Sequence, residues 1–559
     1  MPRPDIPDDP ILVEQATDIS GGVQDNSATH LIPASRSAYL LNIEINKDGQ
    51  RKKRAGVLPR GSRGGTGNPN GAFPFEDVSR NFKHIVLQNA TNLWSTDGTS
   101  SAFTPRATSF SLYNTTHHAV QGQGATGTAA LFIHSCVPYS ANTSLRYDKL
   151  LVLDRQWGAT TISNIWPRAT AWYQKRLWAL NSSVHTQDTL AWSNVLDGRN
   201  WSANQSLQID PEGGDPGTAL IPLRGDTARM LCFKERSVHL LDIYWDTDGY
   251  YPSSANVLDF GNGAKLRPIV TDTGCVATRG LTWVPGLQGG DVLFLSREGI
   301  RSLNRSATDA QGGAGLPLSW QIQTTIDRIN WSHADQACAT FWDGVAYFAV
   351  PVDGAVVNNF VIAYNIARNG FYFLDWEANA FVRSQVDSAR KFYFFGQNYG
   401  SDGQSSYTLG HHLYETNRGT IDPLLQPIAY EEQTRGFVFS TGDDPAEGLR
   451  QKKIWRQLEL RARGAATSVT MSIYYKIDDA TDWLFLRDFS IDPSDAFPRL
   501  SVQLPFTFDS GKIIRRNLSL HGLPAGHKIE FKFTDTTSYG RIDILELNVR
   551  ASLLQETFS

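Results

Sequence analysis

Two adjacent histidine pairs, His117–His118 and His411–His412, are the residues best suited to hold a metal or carry protons. Neighbours along a strand point to opposite faces, so neither pair converges on one ion. The four cysteines, Cys136, Cys232, Cys275 and Cys338, stand far apart with no CxxC pair, which argues against a zinc site or a disulfide framework. Three of them lie in or beside apolar runs and read as buried, reduced thiols. No HExxH, GxSxG, Walker or GxGxxG motif stands in a strand–turn–helix setting. Asp and Glu number 56, but nothing singles out a pair that would converge at the roughly 5 to 9 Å a glycosidase needs. We therefore assign no catalytic, cofactor-binding or metal-binding residue, and the chain reads as a non-enzyme.

The elements that would position any site are strands. The run Thr189 to Asp210 pairs an apolar strand (Leu190 to Trp192) with a returning alternating strand (Leu207 to Ile209) through a turn at Asp197 and Gly198. Trp192 and Trp201 flank this hairpin and are expected to pack between sheets. A short apolar strand followed by such a hairpin recurs seven times, beginning at Lys83, Ala130, Arg176, Arg229, Asp291, Val345 and Lys391. The spacing is roughly 46 to 62 residues, near the length of a propeller blade. With 15 Trp, 47 Gly and 26 Pro, the composition is that of a turn-rich, aromatic all-β protein. The segment Leu318 to Ala337 carries Ile322, Ile326 and Ile329 at near-helical spacing and predicts one packed helix.

Three parts follow for the 559-residue chain. Residues 1–72 read as an extended, Pro- and Asp-rich arm and a linking strand (Ala38 to Ile45), with a turn at Lys47 to Gly49 and loop composition over 59–72. Residues 73–428 read as a β-propeller of about seven blades. Residues 429–559 alternate polar and apolar positions in longer strands, one of them over 498–508, which suits a β-sandwich or jelly roll. Arg51, Lys52, Lys53 and Arg54 form a basic cluster, read as a solvated loop or as a contact to phosphate or an acidic partner. The net charge of −4 argues against a nucleic-acid surface held by bulk electrostatics, though not against a pore that nucleic acid passes through. No apolar run is long enough to span a bilayer, and the start MPRPDIPDDP lacks the features of a signal peptide.

Two resemblances bear on function. Ser193, Asp197, Gly198 and Trp201, with Ser95, Asp97 and Gly98, faintly resemble the Asp-box turns of sialidase propellers, at a different spacing. Those turns are structural in that family, so they imply a propeller hairpin. A propeller glycosidase or carbohydrate-binding protein, or a protein-binding scaffold, stands as the alternative class. The opening GGVQDNSATHLIPASRSAYLLNIEINKDGQRKKRAG resembles tail proteins of short-tailed bacteriophages, the tail nozzle or hub proteins and the packaged-DNA stabilisation proteins. The matching residues are Gly21, Gly22, Asn42, Glu44, Gly49, Arg54 and Gly56, and the segments LAWSNVLDGRNWS and PIAYEEQTRGF are similar to recurring segments of that group.

The resemblance implies a structural protein of the virion tail, assembled in the host cytoplasm, with no cofactor. It implies a ring, usually of six copies, below portal and adaptor proteins, that encloses double-stranded DNA without reading its sequence and adjoins tail fibres or spikes. Gly21, Gly22, Arg51, Lys52, Lys53 and Arg54 are then expected to contribute assembly contacts, with residues 1–56 tying a subunit to its neighbours rather than completing the propeller.

Overall fold

Short apolar strands divided by polar turns dictate small antiparallel sheets, and the computed structural model is built almost wholly of them. It describes residues 11–554 except 17–18, 46–49, 63–70, 90–91, 98–102, 108–116, 125–127, 137–149, 163–164, 182–187, 202–204, 211–213, 224–228, 244–263, 286–289, 310–314, 386–388, 397–411, 418–426, 440–447, 465–468, 492–512 and 536–541. The N-terminal ten residues, the turn at 47–49, Gly98, His411 and the strand expected over 498–508 thus lie outside the described residues.

Six small sheets and one end of a larger sheet follow in chain order. The first spans residues 71–107, the second 117–162, the third 169–208 and the fourth 217–270, each with four consecutive antiparallel strands. The fifth has three strands over 281–302, the sixth four over 338–374, and the seventh three over 378–415. All seven apolar runs counted in the sequence are second strands, from Phe82–Asn89 in the first sheet to Lys391–Gly396 in the seventh. They are continuously apolar because both faces are covered, as in Arg176–Leu180 and Val345–Val350, where every residue is buried. Asp343 and Gly344 both have positive φ in the two-residue turn from Trp342 to Val345, the geometry that matches hairpin twist.

The sheets pack face to face in sequence. Phe73 and Val86 meet Leu131 and Leu151 between sheets one and two, and Phe132 and Val152 meet Leu177 and Ala179 between two and three. Leu231 and Phe233 meet Val292 and Phe294 between four and five. Trp342 stacks on Phe392 between six and seven. Tyr393 and Phe395 of the seventh sheet then meet Ile85 and Leu87 of the first. Among the described residues no sheet closes on itself.

The N-terminal segment departs from expectation. Ile11–Ala16 is a strand paired antiparallel with residues 547–552, and Arg51–Lys53 is a strand joined to Ile43–Ile45 and to Asp543 and Ile544. Leu58–Ser62 pairs with His412–Glu415 and completes the seventh sheet. The start of the run expected to be loop, residues 59–62, is a strand because an outermost position tolerates Pro59, which needs no ladder donor on its free side. The described part of the arm, residues 11–16, is therefore paired within the chain. Its backbone groups are paired by edges that the rest of the same chain exposes.

The division at residues 72 and 428 is likewise crossed by pairing. The sixth sheet continues from Gly370–Leu374 through Tyr39–Leu41 to Tyr430–Gln433, Ile529–Asp535, Val469–Ile477 and Leu484–Ile491, nine strands in all. A six-stranded sheet that includes the twelve-residue strands Lys453–Gly464 and Ile542–Leu553 packs against it. The single helix expected over Leu318 to Ala337 is broken into a 3-10 turn (Leu318–Ile322), a short α-helix (Gln323–Asp327) and a second 3-10 turn (Ala334–Gln336). Ile322, Ile326 and Ile329 are buried all the same.

Candidate functional site

The basic cluster lies inside the molecule. Strand alternation turns Arg51 and Lys53 into the space between the nine- and six-stranded sheets and leaves Lys52 half-buried between its cross-strand neighbours Glu44 and Asp543. Arg51 donates to the Ile19 carbonyl (2.7 Å), to Ser37 Oγ (2.6 Å) and to Glu432. Lys53 Nζ pairs with Asp535 at 2.9 Å, and both side chains are 0% exposed. Arg54 donates to Asn42 Oδ1 (2.8 Å) and to Asp375 (3.0 Å). Neither a solvated loop nor a subunit contact describes Arg51, Lys53 and Arg54, because desolvated cations demand paired acceptors and each has them within the chain.

The glycine pair, expected to contribute assembly contacts, marks a close approach within the chain. Gly22 has φ +76°, and a Cβ there would sit 2.6 Å from the backbone N and O of Phe371. Gly21 donates its N–H to the Ser35 carbonyl at 2.9 Å. Asn42, at φ 57°, accepts from Arg54 Nε and from the Asp375 N–H, and donates to the Ala429 carbonyl at 2.6 Å. Gly22, Asn42 and Arg54 thus meet around Phe371 to Asp375, at the strand where the sixth sheet joins the nine-stranded one.

Trp192 is 1% exposed and packs with Trp178 against Met230 and Leu241 of the fourth sheet. Trp201 is half-buried over the second and third sheets, its Nε1 donating to the Gly198 carbonyl. A Cβ on Gly198 would meet the Phe132 ring at 2.4 Å, so this turn rests directly on the second sheet.

Sequence reading missed a second cluster, formed where the starts of the sheets converge. His118 Nδ1 and His134 Nε2, on adjacent strands of the second sheet, are 3.2 Å apart. His134 Nδ1 faces the Ser135 carbonyl at 3.0 Å and so carries its proton there, which leaves Nε2 to accept from His118. Burial first, then His134 and Arg279, hold the His118 imidazole well below its usual value. Arg168, at the head of the third sheet, is 4% exposed, donates to the Gly217 carbonyl and lies 4.0 Å from Glu235. Arg279, at the head of the fifth, donates to the Gln336 carbonyl at 3.1 Å. Asp335, before the sixth, has its carboxyl raised by burial against the opposing pull of Arg168.

Burial pushes the Cys136 thiol up to about 11, so it stays a thiol and is a poor nucleophile at neutral pH. All four cysteines are free and buried. His117, also buried, stands next to His118 on alternate faces of the strand. Among the described residues no group of three or more His, Cys, Asp or Glu is placed to hold a metal ion. No described helix is long and apolar enough to cross a membrane. Neither Arg168 nor Arg279 belongs to a sequence motif. Only the tertiary fold brings both near Cys136, and Arg279 near His118. No family model matches the chain, and no curated protein matches it.

Proposed function

We propose that this protein is a structural, non-enzymatic component of the tail of a short-tailed bacteriophage, of the nozzle or hub kind. In this reading the seven sheets are blades of a β-propeller, stacked radially, with Leu58–Ser62 as the outermost strand of the last blade. Copies form a ring, six in the resembling proteins, that continues the DNA channel below portal and adaptor and helps retain and then release the genome. Tail fibres or spikes adjoin it, and the duplex passes without sequence-specific contact.

The observation that carries the reading is the convergence of Gly22, Asn42 and Arg54. These three were matched only as a loose pattern along the chain, yet they bond to or abut one strand, where the N-terminal segment fastens the sixth sheet to the C-terminal strands. Residues of one sequence pattern that meet at one structural clasp support the reading of that pattern as a fold signature. The burial of Arg51, Lys53 and Arg54 removes them from the assembly surface, so ring contacts fall to other faces. A ring needs two different complementary faces on each protomer.

Negative-stain images of the purified protein, alone and mixed with portal, adaptor and other tail components, test the proposal. Rings with an axial channel, or particles joined to the portal and adaptor, are the expected result. A protein that stays monomeric in every mixture, or that hydrolyses a glycan, would sink it.

A further inference from the structure

Several buried polar groups near the convergence of the sheets have no hydrogen-bond partner, and most of them are donors. Arg279 Nε and Nη1, Arg168 Nε, Thr170 Oγ1 and Asn379 Nδ2 are fully buried atoms in this state. They come from the starts of the third, fifth and seventh sheets. Contacts through the residues between them place them in one neighbourhood. Thr278 Oγ1 donates to the Arg168 carbonyl at 3.4 Å. The Gln336 carbonyl accepts from both Arg279 and Asn358, and Asn358 Nδ2 also reaches the Ala378 carbonyl beside Asn379 at 3.2 Å.

A buried unpaired donor is costly, more so when charged, so a group of them suits an acceptor from outside the chain, such as water or an ion. From this juxtaposition we propose that the heads of the third, fifth and seventh sheets form a binding site for a small oxyanion of the phosphate or sulfate class, held by Arg279, Arg168 and Asn379. Two guanidinium groups favour an oxyanion over a neutral ligand, since charge-assisted hydrogen bonds are about twice as strong as neutral ones. The acids nearby do not cancel this. Glu235 is shared with Arg297 at 3.6 Å and stands 4.0 Å from Arg168. Burial raises the Asp335 carboxyl, against the opposing pull of Arg168 and Arg279, so it serves as a partner of the arginines already in place. The inference rests on the packing of the sheets and not on the tail reading.

Calorimetric titration and thermal melting of the full chain with inorganic phosphate, sulfate and chloride, at matched ionic strength, provide the test. Phosphate or sulfate should raise the melting temperature saturably while chloride does not. Arg279→Gln should weaken phosphate binding roughly tenfold or more. Because loss of a buried cation can unfold the chain, Asn379→Asp serves as a second variant, which sets a carboxylate where the donor was and should weaken binding by a similar factor. Phosphorus NMR line broadening reads the same site in the unaltered protein. Water alone in the site predicts no saturable effect of phosphate, and that result overturns the proposal. So does equal binding by the unaltered protein and both variants.

Discussion

Replacing Lys53 by methionine removes one half of an ion pair that spans the interior between the nine- and six-stranded sheets. Both side chains are 0% exposed and 2.9 Å apart. With an effective dielectric near 20, two unit charges at that distance attract by about 6 kcal/mol. The net worth of the pair is far smaller, because desolvating both ions offsets most of it. Lys53→Met, however, loses the attraction while Asp535 stays buried, and breaking such pairs from one side costs about 3 to 5 kcal/mol. The double variant Lys53→Met with Asp535→Leu fills the same space without charge and should recover most of that loss. Lys52→Met is the control. Its half-buried side chain lies on the other face of the strand, and it should change stability by less than about 1 kcal/mol. The assay is equilibrium unfolding in urea at neutral pH, comparing midpoints and slopes across the four proteins. If Lys53→Met unfolds within about 1 kcal/mol of the unaltered protein, or no differently from Lys52→Met, the buried-pair reasoning fails.

Trp192→Ala should cost about 3 to 5 kcal/mol, because it empties the space between the third and fourth sheets, and the denaturant midpoint reports it. Gly22→Ala should destabilise by more than Gly344→Ala in thermal melts. Both glycines have positive φ, but only at Gly22 does the new methyl meet backbone, while Gly344 faces open space. Lys453 Nζ donates to the carbonyls of Gln451 and His527, each at 2.9 Å, and burial pushes it down to about 8. A folded value below the unfolded one means that folding releases protons in this range, so the penalty is fully present below about pH 8 and lifts toward pH 10.5. Between pH 7.5 and 9.5 the urea midpoint of the unaltered protein should therefore gain relative to that of Lys453→Met, and parallel profiles would count against it. Deleting residues 1–16 should lower the melting temperature of the isolated protein, since Glu14 pairs with Arg435 and its strand covers residues 547–552. An unchanged melt would restore the picture of an arm with no place in its own fold.

The seven apolar runs were legible because each is a second strand, covered on both faces, and such strands are continuously apolar whatever surrounds them. The strands on either side of them are shorter or more polar, so the runs mark the middle of each sheet and not its start. The helix over Leu318 to Ala337 was legible only in its burial pattern. Ile322, Ile326 and Ile329 are covered, yet the segment breaks into short turns around Gln323–Asp327. The Asp25 carboxylate accepts from the N–H groups of Thr324 and Thr325 at 3.0 and 2.9 Å, a cap supplied from about 300 residues away that no local pattern could announce.

The basic cluster misled for a deeper reason. Four successive cations read as solvated because burying even one without a partner is prohibitive, and the sequence does not show which distant acids come to them. The partners are Glu432, Asp535 and Asp375, more than 300 residues away, and the first two arrive with strands that flank the nine-stranded sheet's junction. The same distance explains why Arg168 and Arg279 went unnoticed: each is an ordinary residue at the head of its own sheet, and only the meeting of the sheets gives them a common neighbourhood with Cys136. A chain of similar sheets stacked in sequence makes local patterns easy to count. What the stack encloses, and what fastens its two ends, depends on pairs that join the beginning of the chain to its end. Breaking one of those long-range pairs should therefore cost as much as emptying the space between two of the repeated sheets.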